Sequence, residues 1–134
     1  NDEQIEVVSN ILLDHEIEII IVSNTSDKNR DNLKNINKLE KGGLSGKPLE
    51  KKSNLLINKF YKNLKDKIII IGVGGVDSGV GAYEKFINGA SLVQLYTSMV
   101  FKGPDIASTI NNELVDILNH KGAKNISEII GTKN

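Results

Sequence analysis

The stretch Ile68-Ile69-Ile70-Ile71-Gly72-Val73-Gly74-Gly75-Val76 decides the fold. Its four consecutive isoleucines predict a short buried strand, because strands that are covered on both faces read as continuous apolar runs. The glycines that follow predict a tight turn, and Val80 to Asn88 then predicts a short helix that ends before Gly89. A strand, a glycine-rich turn and a helix in this order indicate one unit of a parallel α/β fold.

Two further strands are predicted on either side of this unit. Ile17 to Val22 is an apolar run interrupted only by Glu18, and Ser91 to Tyr96 follows Gly89. Helices are predicted at about Glu3 to Leu13, from Ser53 as the N-cap through Leu64, and from Pro104 as the first residue through Leu118. The alternation fits an open doubly wound sheet or part of a (β/α)₈ barrel, and in both the binding residues lie at the carboxyl ends of the strands.

Composition excludes several classes of function. The 134 residues carry 17 basic and 17 acidic side chains, so no charge excess favours nucleic acid or an anionic membrane. The absence of Cys excludes disulfides and thiolate catalysis, and two histidines, His15 and His120, argue against a histidine zinc cluster. No domain boundary is visible between residues 1 and 134. The sequence begins at Asn1 rather than Met, so we expect the polypeptide to be longer.

The glycine-rich turn has two interpretations of equal weight. Glycines before a helix expose backbone N–H groups that can bind phosphate, and the alternative is a tight strand-to-helix connection. The turn is not a dinucleotide fingerprint, because Asp77 stands where the third glycine would be.

The ends of the other two predicted strands carry polar residues. Tyr96 and Thr97 could complete a barrel phosphate site, although a buried aromatic residue is the simpler interpretation of Tyr96 alone. Asn24 offers both a donor and an acceptor to a planar ligand, with Thr25 beside it, although a turn is commoner for a lone asparagine. The loop from Gly42 to Pro48 is similarly either a ligand-binding or simply a flexible segment.

Four ordered segments together resemble the dihydroorotate dehydrogenases. They are I-V-S-N-T at 21–25, G-G-L-S-G-K-P-L at 42–49, I-I-G-V-G-G-V at 70–76 and G-A-S-L-V-Q-L-Y-T at 89–97. The second and fourth strings point to the quinone-reducing, membrane-associated class of that family. Phe101 to Pro104 and Ile129 to Gly131 continue the resemblance toward the C-terminus.

The resemblance implies the C-terminal part, about three βα units, of an FMN-binding (β/α)₈ barrel. It implies contacts to FMN from Ser23, Ser45, Gly46, Gly74, Gly75, Leu95, Tyr96 and Thr97. It implies contacts to dihydroorotate or orotate from Asn24 and Thr25, and a position toward the quinone for Tyr96, Met99, Val100 and Pro104.

The resemblance also implies the reaction and its place in the cell. In that family a base takes the C5 proton of dihydroorotate, hydride passes from C6 to the flavin, and quinone reoxidises the flavin, in pyrimidine biosynthesis. The base belongs to an upstream segment, so we assign no catalytic residue and no metal ligand here. We expect peripheral attachment to the bacterial inner membrane on its cytoplasmic side, or to the mitochondrial inner membrane, through N-terminal helices that are not part of residues 1–134.

The isolated chain is therefore expected to be inactive. A piece of three strands would expose sheet edges and apolar helix faces, which predicts poor stability or self-association. Three other functions stay open: a free-standing phosphate-binding α/β module without redox activity, another FMN-dependent barrel oxidoreductase, and a phosphosugar barrel enzyme.

Overall fold

Three parallel strands and five α-helices alternate along the chain. The structure, a computed structural model, describes residues 2–28, 30–31 and 33–134. The elements are α1 (Asp2–Asp14), β1 (Ile19–Val22), α2 (Glu50–Leu64), β2 (Ile69–Val73), α3 (Gly79–Ile87), β3 (Leu92–Gln94), α4 (Thr97–Lys102) and α5 (Ile106–Lys121). Short 3₁₀ turns lie at Ile36–Leu39, Lys47–Leu49, Lys65–Lys67 and Ile126–Glu128.

The sheet has the order β1-β2-β3, so each strand pairs with the next strand along the chain. Ile21 pairs with Ile71, and Ile71 pairs with Leu92, so their side chains form one row across the sheet. The helices pack on the opposite face, where Val22 and Ile70 are buried. Helices on one face only, with neighbouring strands in chain order, match a segment of a (β/α)₈ barrel rather than a doubly wound sheet.

Two apolar clusters hold the helices in place. In the first, Val22, Ile57, Ile70 and Ala90 pack α2 against the middle of the sheet. In the second, Ala82 and Phe86 of α3 pack against residues of α5 that step by four along one face of that helix, namely Ile106, Ile110, Leu114 and Leu118. The α5 pattern is therefore an apolar stripe turned toward α3, as its sequence spacing predicts.

Several predicted boundaries of helices and strands differ from those in the structure. Ser53 is not an N-cap: it lies buried inside α2, and its hydroxyl donates to the carbonyl of Val73 at 2.5 Å. Pro104 does not begin α5, which starts at Ile106 after Asp105 as its N-cap. Tyr96 is neither a strand residue nor a core residue, since it precedes α4 and is 79% exposed. Helix α4 itself was not predicted, because six residues carry too little periodicity.

One lysine lies fully inside the helix layer. Lys85 of α3 has no exposed surface, and its Nζ donates to Asn54 Oδ1 of α2 at 2.5 Å. The aliphatic part of the Lys85 side chain runs beneath Gly72. A Cβ atom placed on Gly72 would lie 3.0 Å from Lys85 Cδ and 2.9 Å from Ile57 Cδ1. Burial disfavours the ammonium form and lowers the pKa of Lys85 to about 8, against the opposing effect of Glu50.

The sheet face away from the helices is open to solvent. Ile19, Ile21, Ile69 and Leu92 on that face are each 44 to 58% exposed. Three aliphatic side chains of α1, those of Val7, Val8 and Ile11, are exposed as well. Adjacent apolar side chains of this kind favour contact with another surface.

We expect the isolated 134-residue chain to self-associate through the open sheet face, because association removes these isoleucines from water. Light scattering at tens of micromolar should report a mass well above 14.7 kDa. The double variant Ile21→Lys with Leu92→Lys should shift the mass toward the monomer, whereas Ile36→Lys, which alters an exposed loop residue, should not. A compact wild-type monomer would contradict the prediction.

The buried ammonium of Lys85 predicts a pH dependence of stability. Its pKa is about 8 in the folded chain against an ordinary 10.5, so between these values the unfolded chain binds more protons. The free energy of unfolding should therefore rise with pH above about 8, by up to about 3 kcal/mol for this group. Urea unfolding of the complete native polypeptide that carries residues 1–134 should show this rise relative to Lys85→Met, and parallel curves for the two proteins would refute it.

Candidate functional site

One cavity lies where the three strands end. Its volume is about 480 Å³, and it opens between the ends of β1, β2 and β3 and the loop before α2. Its lining includes nine of the residues predicted for the site: Ser23, Thr25, Ser45, Gly46, Gly74, Gly75, Leu95, Tyr96 and Thr97. All eight predicted flavin residues therefore line one cavity, although they come from segments more than seventy residues apart.

The turn between β2 and α3 forms one wall of this cavity. Gly74 and Gly75 both have positive φ angles, 109° and 78°, which side chains other than glycine rarely adopt. A Cβ built on Gly75 would lie 2.8 Å from the backbone nitrogen of Glu50, so the turn rests directly on the first residue of α2. Both the backbone angle and the close contact therefore require glycine at position 75.

The loop before α2 reaches across to the start of α4. Thr97 Oγ1 donates to Ser45 Oγ at 3.0 Å, and a Cβ built on Gly46 would lie 2.9 Å from Thr97 Cγ2. Ser98 is buried in the first turn of α4, and its hydroxyl donates to the carbonyl of Val76 at 2.7 Å. These contacts tie the ends of β2 and β3 to the same loop.

Charged side chains form the outer rim of the cavity. Lys47 Nζ lies 2.9 Å from Asp77 Oδ1 and 3.1 Å from Glu50 Oε1. The hydrogen bond from Lys47 lowers the pKa of Asp77, and the same bond raises the pKa of Lys47. Lys102 Nζ donates to the backbone carbonyl of Asp77 at 2.8 Å. The rim therefore carries two ammonium groups with Asp77 between them.

The end of β1 lies beside the cavity and borders a second, shallower pocket. Ser23, Asn24 and Thr25 all line that second pocket, and Ser23 and Thr25 line the cavity too. Asn24 Oδ1 accepts a hydrogen bond from the Thr25 backbone N–H at 2.7 Å, which fixes the amide. With the oxygen used locally, the Asn24 NH₂ group is the part of the side chain that can bind a ligand.

The residues predicted to face quinone lie just before, on and just after α4. Tyr96 lines the cavity, whereas Met99, Val100 and Pro104 are exposed residues outside its lining. Phe101, which was not among the residues expected at the quinone, lines the cavity and is 83% exposed. The apolar surface of α4 thus continues from the cavity to the outside of the protein.

A single arginine organises the long loop after β1. Arg30 Nη1 donates to the carbonyls of Lys38 at 3.3 Å and Glu40 at 2.5 Å, and Nη2 donates to the carbonyl of Gly42. Ser26 and Leu44 exchange two backbone hydrogen bonds, of 3.1 and 2.7 Å, at the base of the loop. Residues 29 and 32, which belong to the predicted loop from Asp27 to Lys41, lie outside the described residues.

Several residues near the site were missed by sequence reasoning. Lys47 and Asp77 meet across thirty residues, a separation at which no sequence periodicity operates. Lys85 had a detectable signal, since it shares a helix face with the buried Gly81 and Ala82. His15 and His120 lie at the ends of α1 and α5, away from the cavity.

Two further structural findings concern metals and membranes. Within residues 2–28, 30–31 and 33–134, no three histidine or carboxylate side chains are grouped closely enough to hold a metal ion. In the same described ranges, no helix has the length and apolarity needed to cross a membrane.

We expect Arg30→Lys to loosen the loop, because an ammonium on a flexible stem cannot replace a guanidinium that reaches three carbonyls. Hydrogen exchange at the Ser26 and Leu44 amides should become about ten-fold faster. Lys38→Ala is the matched control, since Arg30 contacts only the backbone of that residue, and it should leave exchange unchanged. Equal exchange in Arg30→Lys and the wild type would contradict this role.

Comparison with known proteins agrees with the geometry. A sequence model of the family described as dihydroorotate dehydrogenase matches residues 1–118. A dihydroorotate dehydrogenase (quinone) of Deinococcus radiodurans is 38% identical over 112 residues, which are 84% of this chain and 30% of that protein. The mitochondrial dihydroorotate dehydrogenase (quinone) of Mus musculus is 39% identical over 126 residues, which are 94% of this chain and 32% of that protein.

Solved structures agree as well. The ligand-free dihydroorotate dehydrogenase of Eimeria tenella superposes with a TM-score of 0.96 at 35% identity, covering all of this chain and 37% of that one. The complex of the Eimeria tenella enzyme with ferulenol gives a TM-score of 0.95. The chain spans about a third of the length of the relatives it matches. On the family match over residues 1–118, the chain belongs to the dihydroorotate dehydrogenase family.

Proposed function

We propose that residues 1–134 form the C-terminal third of a quinone-reducing dihydroorotate dehydrogenase and supply part of its FMN site. The observation that carries the proposal is the cavity, in which the ends of three consecutive strands and the glycine-rich loop before α2 meet. The family consists of flavoenzymes, and a barrel of this kind binds its ligands at the carboxyl ends of the strands.

The turn at Gly74 and Gly75 fits the phosphate group of FMN. Two successive residues with positive φ form a concave backbone segment, and side chains that would fill this space are absent. Thr97, at the end of the neighbouring β3 unit, adds a hydroxyl on the opposite wall. Lys47 and Lys102 bring positive charge to the rim of the same cavity.

The remaining cavity residues fit the rest of the flavin. We assign Ser23, Ser45 and Gly46 to its side near β1, and Leu95 and Tyr96 to its side near β3. The Thr97–Ser45 hydrogen bond holds these two sides together. The FMN ring, when bound, supplies the acceptor for a hydride, which no amino-acid side chain can supply.

Asn24 and Thr25 are assigned to dihydroorotate or orotate. Asn24 and Thr25 line the smaller pocket beside the cavity, where the NH₂ group of Asn24 and the hydroxyl of Thr25 can bind carbonyl and carboxylate oxygens. These contacts orient the substrate against the flavin, and orientation is the main contribution that a protein makes to such a reaction.

The surface of α4 is assigned to the quinone. Tyr96 connects the cavity to the exposed side chains of Met99 and Val100, and Pro104 follows the helix. Apolar side chains in this position can bind the apolar part of a quinone near a membrane surface. Peripheral attachment to the bacterial or mitochondrial inner membrane belongs to the same proposal.

No residue of this chain is proposed as the base that removes a proton from dihydroorotate. Ser23 and Ser45 have no histidine, lysine or carboxylate partner among the described contacts. Ser26 accepts a hydrogen bond from Lys52 Nζ at 3.1 Å, and a lysine that donates in this bond does not remove the serine proton. We therefore propose that residues 1–134 alone do not turn over dihydroorotate.

A free-standing phosphate-binding module is the main alternative from another class. It would use the glycine turn and the rim lysines alone. Asn24, Thr25 and the Ser45–Thr97 contact at the same cavity favour a larger ligand that extends toward β1.

The proposal predicts a flavoprotein that transfers electrons from dihydroorotate to a quinone. The complete native polypeptide that carries residues 1–134 should show the visible absorption bands of bound FMN and dihydroorotate-dependent reduction of a soluble quinone. Gly75→Ala should weaken FMN binding at least about ten-fold, because the added Cβ meets Glu50 at a strained backbone position.

Gly122→Asn is the matched control for this variant. Gly122 also has positive φ, but a Cβ there meets nothing within 4 Å, and the residue ends α5 away from the cavity. A polypeptide without bound flavin, or one that reduced NAD instead of quinone, would overturn the proposal. Binding of inorganic phosphate without flavin would favour the module instead.

A further inference from the structure

Lys85 has no part in the binding residues assigned so far, yet it lies directly behind the glycine turn. Its side chain is fully buried between α2 and α3. The aliphatic part of that side chain lies directly beneath Gly72, two residues before Gly74. Asn54 is its hydrogen-bond partner, and Glu50 and Glu84 are the carboxylates that act on its charge. Burying an ammonium costs several kcal/mol unless something offsets it, so its placement calls for an electrostatic reason.

Three carboxylates lie near the turn that is proposed to hold phosphate or near the start of α3, which follows it. A Cβ on Gly75 would lie 2.6 Å from Glu50 Cβ, and Glu50 Oε1 would lie 3.1 Å from a Cβ on Gly81, in the first turn of α3. Asp77 is on the cavity wall, and the backbone N–H of Gly79, at the start of α3, donates to Glu113 Oε2. Each of these negative charges opposes the binding of a phosphate dianion.

Three ammonium groups balance those carboxylates. Lys47 binds Asp77 and Glu50, and Lys102 binds the carbonyl of Asp77. Lys85 binds Asn54, one turn of α2 after Glu50, and lies one turn of α3 after Gly81, on which a Cβ would be 3.1 Å from Glu50 Oε1. Glu84 is already paired with Lys133 at 2.9 Å on the outer surface of α3. Without Lys85 the three carboxylates would outnumber the two remaining ammonium groups, so the set would carry a net charge of about −1.

The positions of the three lysines make their charges unequal. The Lys47 side chain is 55% exposed and Lys102 is also exposed, so water and salt screen both. Lys85 is enclosed by protein, where the effective dielectric constant is lower and its field reaches further.

We propose that Lys85 is a positioning residue for the phosphate site: it neutralises the Glu50 carboxylate from inside the protein and so allows a phosphate dianion to bind at Gly74 and Gly75. This inference rests on the proposed function, because it specifies how the proposed FMN site accepts the phosphate. With a pKa of about 8, the group is still mostly an ammonium at neutral pH.

The test compares FMN with riboflavin, which has the same ring and no phosphate. The affinities of the complete native polypeptide for both ligands are measured at pH 7 by quenching of flavin fluorescence, and their ratio reports the phosphate contribution. Lys85→Met should lower the FMN-to-riboflavin ratio at least about ten-fold, because the loss of one charge about 10 Å away, at an effective dielectric constant of about 20, has roughly that effect for each unit of phosphate charge.

Two further variants separate charge from packing. Ile57→Val removes a methylene group beside the Lys85 stem without changing charge, so it should leave the ratio unchanged. Glu50→Gln removes the opposing carboxylate. As a single variant it should raise the FMN-to-riboflavin ratio, and combined with Lys85→Met it should return the ratio toward the wild-type value. The Glu50→Gln result stands even if Lys85→Met fails to fold.

The outcomes distinguish this inference from the function on which it rests. A wild-type polypeptide that binds FMN no tighter than riboflavin would overturn the phosphate site and this inference with it. A wild type that prefers FMN, with the same preference in Lys85→Met or with no rise in Glu50→Gln, would overturn the role of Lys85 and leave the flavin site intact.

Discussion

The contact between Gly75 and the backbone of Glu50 is the constraint on which the rest of the site depends. Because the turn after β2 lies against the first residue of α2, the start of that helix and the end of that strand cannot move independently. Ser53 strengthens the contact one turn later by donating to the carbonyl of Val73. The loop that enters α2 carries Ser45 and Gly46, so the same contact also sets how these residues meet Thr97.

The elements that sequence reasoning predicted well are those with local causes. The runs of isoleucine and valine at 19–22 and isoleucine at 69–71 form strands because β-branched residues suit a pleated sheet. Ser78 caps α3 by accepting a hydrogen bond from the Gly81 N–H, and Gly89 follows that helix with a φ of 114°. The site positions at the strand ends also followed from topology alone, because parallel strands bring their carboxyl ends to one edge.

The features that sequence reasoning missed depend on contacts between distant segments. Ser53 resembles an N-cap locally, but its real partner is a carbonyl twenty residues away. The choice between a doubly wound sheet and a barrel depended on which face the helices cover, and strands that are apolar on both faces do not reveal it. A buried aromatic residue was the simpler interpretation of Tyr96 taken alone, whereas the resemblance implied contacts to flavin and quinone. The chain turns into α4 at that point and leaves the ring exposed at the cavity.

The bridge between Ser26 and Leu44 has a consequence for how this region can change over evolutionary time. The two residues exchange backbone hydrogen bonds, so the seventeen positions between them form a loop whose two ends lie next to each other. Insertions or deletions that preserve the Arg30 contacts and the packing of Gly43 against Thr25 alter mainly the closure entropy, which changes slowly with length. The segment can therefore vary in length and composition while Thr25 on one side and Ser45 on the other keep their places at the cavity.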